Sequence, residues 1–595
     1  MFFKQVTFPK KVVQKCLKTG ALTTALTTAL TTALSLSWGI ATAAPARSAD
    51  TIFLDYGFLG RSIPTSSLER FAQDSHVDDN LAPYLRDLSP EQQQTFQKVL
   101  RTPLSAFSSE LPEPLGDPFM LSQWLYSPIG DILLSAIGLL IQTRSGQNGQ
   151  QAIRAAVVLA AADPDGLSLI NLIRFYPTEG MRLDLPQVLA LADALTTNIE
   201  TTERLVSEAI QESEAAAAND PPLDYGALSM LADTPQFEVE VRALMLNDSD
   251  RASADSSARS YPVDLYLPQD ISKMPAPIPV MIFSHGYGDT RTHPETVAAA
   301  HRLAANGFFV AVPEHIGSNL GYQMDLAKGL THESFEVMEF INRPQDIQFL
   351  LDTLEHKNNS EFQGRLQLDR VGLVGHSFGG YTALALAGAT VDFVLLQEQC
   401  DPEADFVPDT VNISLLIQCR ALELAASPQE IQQLTDGSLA DERVGFVFAL
   451  SPMSNLFGEQ GVSQIEVPVV IVGGSYDIAT PIVQEQLTAF QGLTTPQKYF
   501  YLVENLSHTT ELTRAILELI HPRSDLSENF KATEEWLFNV MLTVLIAHGK
   551  THLLGDVAYR PYLTSAYVKA ASTAPTNVHL VEYFSTQSGL YIEPE

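Results

Sequence analysis

The stretch from Val371 to Thr390, VGLVGHSFGGYTALALAGAT, constrains the fold more than any other part of this chain. Val371-Gly372-Leu373-Val374 is the apolar run of a short buried strand, and Tyr381 to Ala389 has the composition of a helix. Between them Gly375-His376-Ser377-Phe378-Gly379 fits G-x-S-x-G, a tight strand-to-helix turn that forces its serine into a strained, exposed position. A Cβ at Gly375 or Gly379 would collide with neighbouring backbone. Ordinary glycine-rich loops also match this pattern, so the chemistry of Ser377 depends on its partners.

The surrounding periodicity supplies the scaffold. From Phe237 onward, FEVEVRAL and YPVDLYLP (261–268) alternate like antiparallel strands. Apolar runs at 279–283, 308–312, 371–374, 444–450, 467–472 and 498–503 then alternate with helical segments at 292–306, 342–355, 378–389, 481–490 and 509–520. That is the pattern of a mostly parallel sheet covered by helices on both faces. Residues 392–442 form an insertion between the serine's helix and the next strand. It is partly apolar (Ile413–Leu424) and is read as a lid over a substrate pocket.

A nucleophilic serine needs a base, an acid to orient the base, and donors for an oxyanion. In an open α/β sheet these come from loops at the carboxyl ends of the strands, in the order serine, acid, histidine. Asp477 follows the strand 467–472, and His508 follows the strand 498–503. Phe283-Ser284-His285-Gly286-Tyr287-Gly288 follows the strand 279–283 and offers backbone N–H groups to pair with that of Phe378. His285 is read as a structural loop residue, not a second base.

The first half of the chain differs. Thr51–Tyr56 and Arg61–Pro64 suggest a short hairpin. Helical segments follow at 66–75, 80–87, 89–101, 119–126, 129–142, 149–161, 166–175 and 185–213, broken by proline and glycine. The organisation expected is a helical domain over 50–213, a linker over 214–235 and a catalytic domain over 236–595. Before it, Lys4, Lys10, Lys11, Lys15 and Lys18 precede an uncharged stretch with ALTT three times and an Ala41-Thr42-Ala43 site. This reads as a signal peptide, 1–43, whose removal sends the chain to the periplasm or outside; an uncleaved anchor is the alternative. Cys400 and Cys419 then form an even pair, a disulfide candidate in an exported chain, with two separate buried thiols as the alternative.

A net charge of −34 argues against nucleic acid and anionic lipid surfaces as partners. No Walker-type loop, C-x-x-C or H-E-x-x-H occurs, so no cofactor or metal is expected.

The motifs FSHGYG, VAVPEHIGSN (310–319) and GHSFGG resemble the platelet-activating-factor acetylhydrolase and dienelactone-hydrolase-like branch of the α/β hydrolases. With its helical N-terminal domain of unknown function, the whole chain resembles a cyanobacterial hydrolase family. The resemblance implies an α/β-hydrolase fold with Ser377 as nucleophile, His508 as base, and Tyr287 and Phe378 as oxyanion donors. One departure stands out. In the acetylhydrolases the acid follows the strand that here ends Phe448-Ala449-Leu450, but this chain has Ser451-Pro452 there.

The function expected is therefore an exported serine hydrolase of carboxylic esters, its substrate a small molecule or a lipid or phospholipid acyl group. Two alternatives are a serine peptidase on the same triad and a non-catalytic binding protein that retains the fold.

Overall fold

A computed structural model describes residues 49–56, 59–86, 88–101, 118–251, 258–400, 412–510, 513, 526–572 and 576–584. The chain divides into two compact units, one of residues 1–200, 323–334 and 401–411, the other of the remainder. The signal peptide and most of the helix expected at 509–520 lie outside the described residues.

In the first unit, β1 (Thr51–Tyr56) and β2 (Leu59–Pro64) form the expected hairpin. Strands β3 (Ile141–Thr143) and β4 (Met181–Asp184) extend it to a sheet of order β2-β1-β4-β3. Its helices start where local chemistry directs. Ser89 and Gln92 cap the helix Pro90–Arg101 reciprocally, at 2.9 and 3.2 Å. Ser127, followed by Pro128, caps Pro128–Leu140. Leu68, Phe71, Leu121, Leu125, Ile153 and Val157 are among the side chains buried in this unit's core.

The stretch expected as a linker begins inside a helix. Helix α1 (Leu185–Asn219) continues through Ala215–Ala218. Four alanines beside glutamates are strong helix formers, and their propensity carries the helix past the point where apolar periodicity ends.

The second unit is a nine-stranded sheet. Its strands are β5 (Val239–Asp248), β6 (Arg259–Pro268), β7 (Ile278–Ser284), β8 (Phe309–Pro313), β9 (Leu366–His376), β10 (Val444–Leu450), β11 (Val469–Gly474), β12 (Lys498–Val503) and β13 (Val578–Val581). The order is β13-β12-β11-β10-β9-β7-β8-β6-β5. Strands β8 to β12 are joined by parallel pairing through β7, whereas β5, β6 and β13 pair antiparallel at the two edges. Every residue of β7, IPVMIFS, is buried, as a strand covered on both faces requires. Helices α2 (Pro294–Ala305), α3 (Glu339–Glu361) and α4 (Phe378–Leu386) connect the parallel strands. This is the α/β-hydrolase fold, preceded by a mainly helical region.

Helix α5 (Leu526–Leu554) closes one face of the sheet. A Cβ at Gly549 would lie 2.1 Å from Met281 Cε, so glycine lets the helix approach β7 closely. Thr533–Leu554 is long and apolar enough to cross a membrane, but 72% of its most apolar window is buried inside the protein.

The described part of the insertion holds the helices Phe393–Gln399, Leu415–Gln418 and Pro428–Thr435. Cys400 and Cys419 are joined, with Cα atoms 5.6 Å apart. Buried Glu485, on the π-helix Ile482–Leu487, accepts from Asn412 Nδ2 (2.6 Å), Gln418 Nε2 (2.7 Å) and Ser414 Oγ. Its other oxygen accepts from the N–H groups of Ser454 (2.6 Å) and Asn455 (2.7 Å), tying the insertion to the loop after β10. Non-reducing peptide mapping of the native protein is expected to recover Cys400 linked to Cys419. Closing a loop of this size restricts the unfolded chain by about 3 kcal/mol. Two freely alkylated thiols in the folded protein would contradict the bridge.

Candidate active site

Ser377 sits between the end of β9 and the first residue of α4, with φ 55° and ψ −116°. A non-glycine residue there is strained by about 1–3 kcal/mol. Neighbouring backbone holds it in place. Ser377 N–H donates to Leu450 O at 3.0 Å, and its carbonyl accepts from Met453 N–H at 3.1 Å. Both flanking glycines are required. A Cβ at Gly375 would lie 2.0 Å from Gly379 O, and one at Gly379 only 1.9 Å from Ser284 O.

The structure brings Asp477 and His508 together. His508 Nδ1 lies 2.9 Å from Asp477 Oδ2. Asp477 Oδ1 accepts from the N–H groups of Ala479 (3.0 Å) and Thr480 (2.8 Å), and Oδ2 also accepts from Thr480 Oγ1 (2.9 Å). Burial alone would raise the Asp477 pKa. The facing His508, with hydrogen bonds from Thr480 and Ser451, outweighs burial and holds the carboxyl below its ordinary value. The ionised carboxylate can only accept, so it keeps the proton on His508 Nδ1 and leaves Nε2 as an acceptor.

Ser377 joins this pair through shared neighbours. His376, beside it, has its ring 4.8 Å from that of His508 and donates from Nε2 to His508 O at 3.1 Å. Burial, then the nearby His508, pushes the His376 pKa down to about 3, so it acts as a neutral prop. Thr480 Oγ1 reaches Ser451 O (3.1 Å), which directly follows the Leu450 carbonyl that holds Ser377. Ser377 is half-buried, and the His508 side chain is 13% exposed, so the site opens to solvent.

Six other aspartates lie between Ser377 and Asp477 in or beside the insertion. Asp401, Asp405 and Asp409 are outside the described residues. Asp392 caps the helix Phe393–Gln399, Asp436 accepts from Ser438 N–H, and Asp441 pairs with Arg443. None of these three is bonded to His508.

The loop after β7 places Gly286 against the serine. A Cβ on Gly286 would lie 3.5 Å from Ser377 Cβ. Tyr287 follows it, and Phe378 opens α4, where first-turn N–H groups have no partner within the helix. The rings of Tyr287 and Phe378 both pack edge-on against Phe335, at 5.8 and 6.1 Å.

A second Ser-His-Asp array lies deeper. Ser284 Oγ is 2.8 Å from His315 Nε2, and His315 Nδ1 is 3.5 Å from Asp346 Oδ2. None of the three is more than 1% exposed. Burial, then Arg343 and Arg259, pushes the His315 pKa well below its ordinary value, and Arg259 engages Asp346 at 2.7 and 2.8 Å. An array with no access for substrate and a histidine of suppressed basicity supports the loop above it. His285 is likewise structural: Nδ1–H donates to Gly286 O (2.8 Å), and Nε2 accepts from His315 N–H (3.0 Å).

Thr480, His376 and Arg343 are the site residues that sequence reasoning missed. His376 stood inside the quoted motif, but nothing local marks the "x" of G-x-S-x-G as a prop for a histidine 132 positions later.

Comparison with known proteins finds likeness over parts of the chain, neither of the two family matches reaching Ser377, Asp477 or His508. Residues 48–184 match a family described as alpha/beta hydrolase of unknown function, and residues 263–324 match platelet-activating factor acetylhydrolase, isoform II. YitV of Bacillus subtilis (strain 168), a protein named only provisionally as an esterase, is 28% identical over 179 residues. That match covers 26% of this chain and 64% of the relative's length.

Proposed function

We propose that this chain is a serine hydrolase of carboxylic esters, with Ser377 as nucleophile, His508 as general base and Asp477 as its orienting acid. The observations that carry this reading are a strained serine at a strand-to-helix turn and, past two neighbouring strands of the same sheet, a histidine–carboxylate pair at 2.9 Å.

In this mechanism Ser377 Oγ attacks the ester carbonyl while His508 Nε2 takes its proton. The tetrahedral oxyanion is held by the N–H groups of Tyr287 and Phe378. Collapse expels the alcohol, protonated by His508, and leaves an acyl-enzyme on Ser377. Water, activated by the same histidine, attacks the acyl-enzyme and releases the acid. A fluorophosphonate probe is expected to label the wild type and not Ser377→Ala. Equal labelling of both would place the reactive serine elsewhere.

The matched acetylhydrolase segment and the partly apolar insertion favour an ester with an apolar acyl arm, such as a lipid or phospholipid. The basic, then uncharged, N-terminal stretch favours export. Mass spectrometry of the native protein is expected to find an N-terminus near Ala44; an intact Met1 in membrane fractions would make the chain an anchored protein instead.

A further inference from the structure

Beneath the Gly286-Tyr287 turn lies a fully buried cation that no chemical step of ester cleavage uses. Arg343, on α3, donates from Nε to Ser318 Oγ (2.9 Å), from Nη1 to His285 O (2.7 Å) and from Nη2 to Gly286 O (3.2 Å). Its guanidinium lies 4.3 Å from the centre of the Phe378 ring. Burying a guanidinium costs several kcal/mol unless the site compensates it, and a well-packed apolar side chain would be less costly. Here Glu339 stands 3.8 Å from Nε, and Ser318 Oγ donates a hydrogen bond to Glu339 Oε2 at 2.8 Å. Burial lowers the Arg343 pKa to about 10, against the pull of Glu339 and Asp346, so the group stays charged at neutral pH.

We infer that Arg343 is a positioning residue for the oxyanion site, its fork turning the 286–287 peptide so that the Tyr287 N–H faces Ser377. The inference rests on the proposed ester-hydrolase reading and deepens it. A trans peptide is planar, with its C=O and N–H pointing in opposite directions. The 286–287 bond is trans, since the one cis peptide among the described residues is Ala276-Pro277. Anchoring Gly286 C=O to Arg343 therefore sends the Tyr287 N–H away from the guanidinium. Ser377 is close by: a Cβ on Gly286 would lie 3.5 Å from Ser377 Cβ. A charge-assisted bond to the carbonyl also polarises the peptide and strengthens its N–H as a donor. The same cation braces Phe378, the other donor residue, through its ring. Arg343, together with His285 Nδ1 on the same Gly286 carbonyl at 2.8 Å, thus braces both halves of the oxyanion site, and it does so through its planar fork and not its charge alone.

The test uses the full chain, with p-nitrophenyl butyrate as substrate and an alkyl trifluoromethyl ketone as a tetrahedral-adduct probe. Arg343→Lys keeps the charge and loses the fork; Arg343→Gln loses both. Each is expected to lower kcat about a hundred-fold, with KM changed less than about threefold. Ketone affinity should fall by the same factor as kcat/KM. A merely structural arginine would instead lower Tm while kcat of the folded protein and ketone affinity stayed put, and that result overturns the inference. Should both variants fail to fold, Ser318→Ala decides, because it frees the Nε end of the fork. A loss of about tenfold in kcat at constant KM supports the inference, and an unchanged kcat overturns it. Ser377→Ala measured alongside separates the two levels. If it retains the wild-type rate, the site reading and this inference fall together. If it is inactive while the Arg343 variants keep full kcat, only the inference falls.

Discussion

Replacing Ser377 by alanine is expected to reduce ester turnover by about a million-fold, because nucleophile and base act as a unit and removing one removes the covalent route. The oxyanion donors and the binding surface survive, so turnover about a thousand-fold above the uncatalysed rate should remain. Stability is the second readout. Alanine is as strained as serine at φ 55° and ψ −116°, so Ser377→Ala should melt close to the wild type. Glycine enters that region without a Cβ clash, and Ser377→Gly should be inactive yet more stable, recovering up to about 1–3 kcal/mol of local strain. Such a gain would identify the strain as a cost of function carried by the native fold. The decisive contrast is Ser284→Ala, which breaks the buried Ser-His-Asp array without touching Ser377. If Ser284→Ala abolished turnover in a folded protein while Ser377→Ala kept it, the nucleophile would belong to the array beneath the loop.

Why the sheet was legible and parts of the site were not follows from where each kind of information resides. Strand β10, VGFVFAL, and the Phe500–Val503 part of β12 are continuous apolar runs because both faces are covered there, and burial of that kind is written locally. Asp477 and His508 were legible for a related reason: each follows such a run, and the topology brings strand ends together. Strands β3 and β4, three and four residues long, are too short to show alternation, and their pairing is non-local: β4 pairs with β1 (Met181 opposite Ile52) and β3 with β4 (Ile141 opposite Leu183). The alanines after Glu214, read with the neighbouring acids as the start of a linker, lie in α1, where intrinsic propensity keeps them helical. Thr480 and Arg343 carry no local mark. Thr480 matters because its hydroxyl reaches Asp477, His508 and the Ser451 carbonyl at once, and Arg343 because it meets a carbonyl 58 positions earlier. Convergence of that kind is a property of the folded chain alone.

Asp477→Asn is the substitution that decides between the two possible seats for the acid, after β10 or after β11, and it is expected to lower turnover at neutral pH by roughly a hundred- to ten-thousand-fold. The geometry dictates how. The N–H groups of Ala479 and Thr480 both point at Oδ1, so an asparagine must place its oxygen there and its amide toward His508. An amide donor facing Nδ1 forces the proton onto Nε2, and a protonated Nε2 cannot take the proton of Ser377. The loss is therefore one of tautomer and of imidazolium stabilisation, not of fold. Stability should follow the pH in a defined sense. The folded-state pKa of Asp477 lies below its unfolded value, so the native state binds fewer protons, and the carboxylate stabilises the fold above the unfolded value. That contribution is lost as pH falls through the folded pKa, so the melting temperatures of Asp477→Asn and wild type should differ at neutral pH and converge in acid. Ser451, at the alternative seat, has a backbone φ of 39° and supplies only a hydrogen bond toward Asp477, so Ser451→Ala should cost far less turnover. Near-native turnover in Asp477→Asn, together with loss of activity on replacing Asp392, Asp436 or Asp441, would move the acid into the insertion and unseat the β11 assignment.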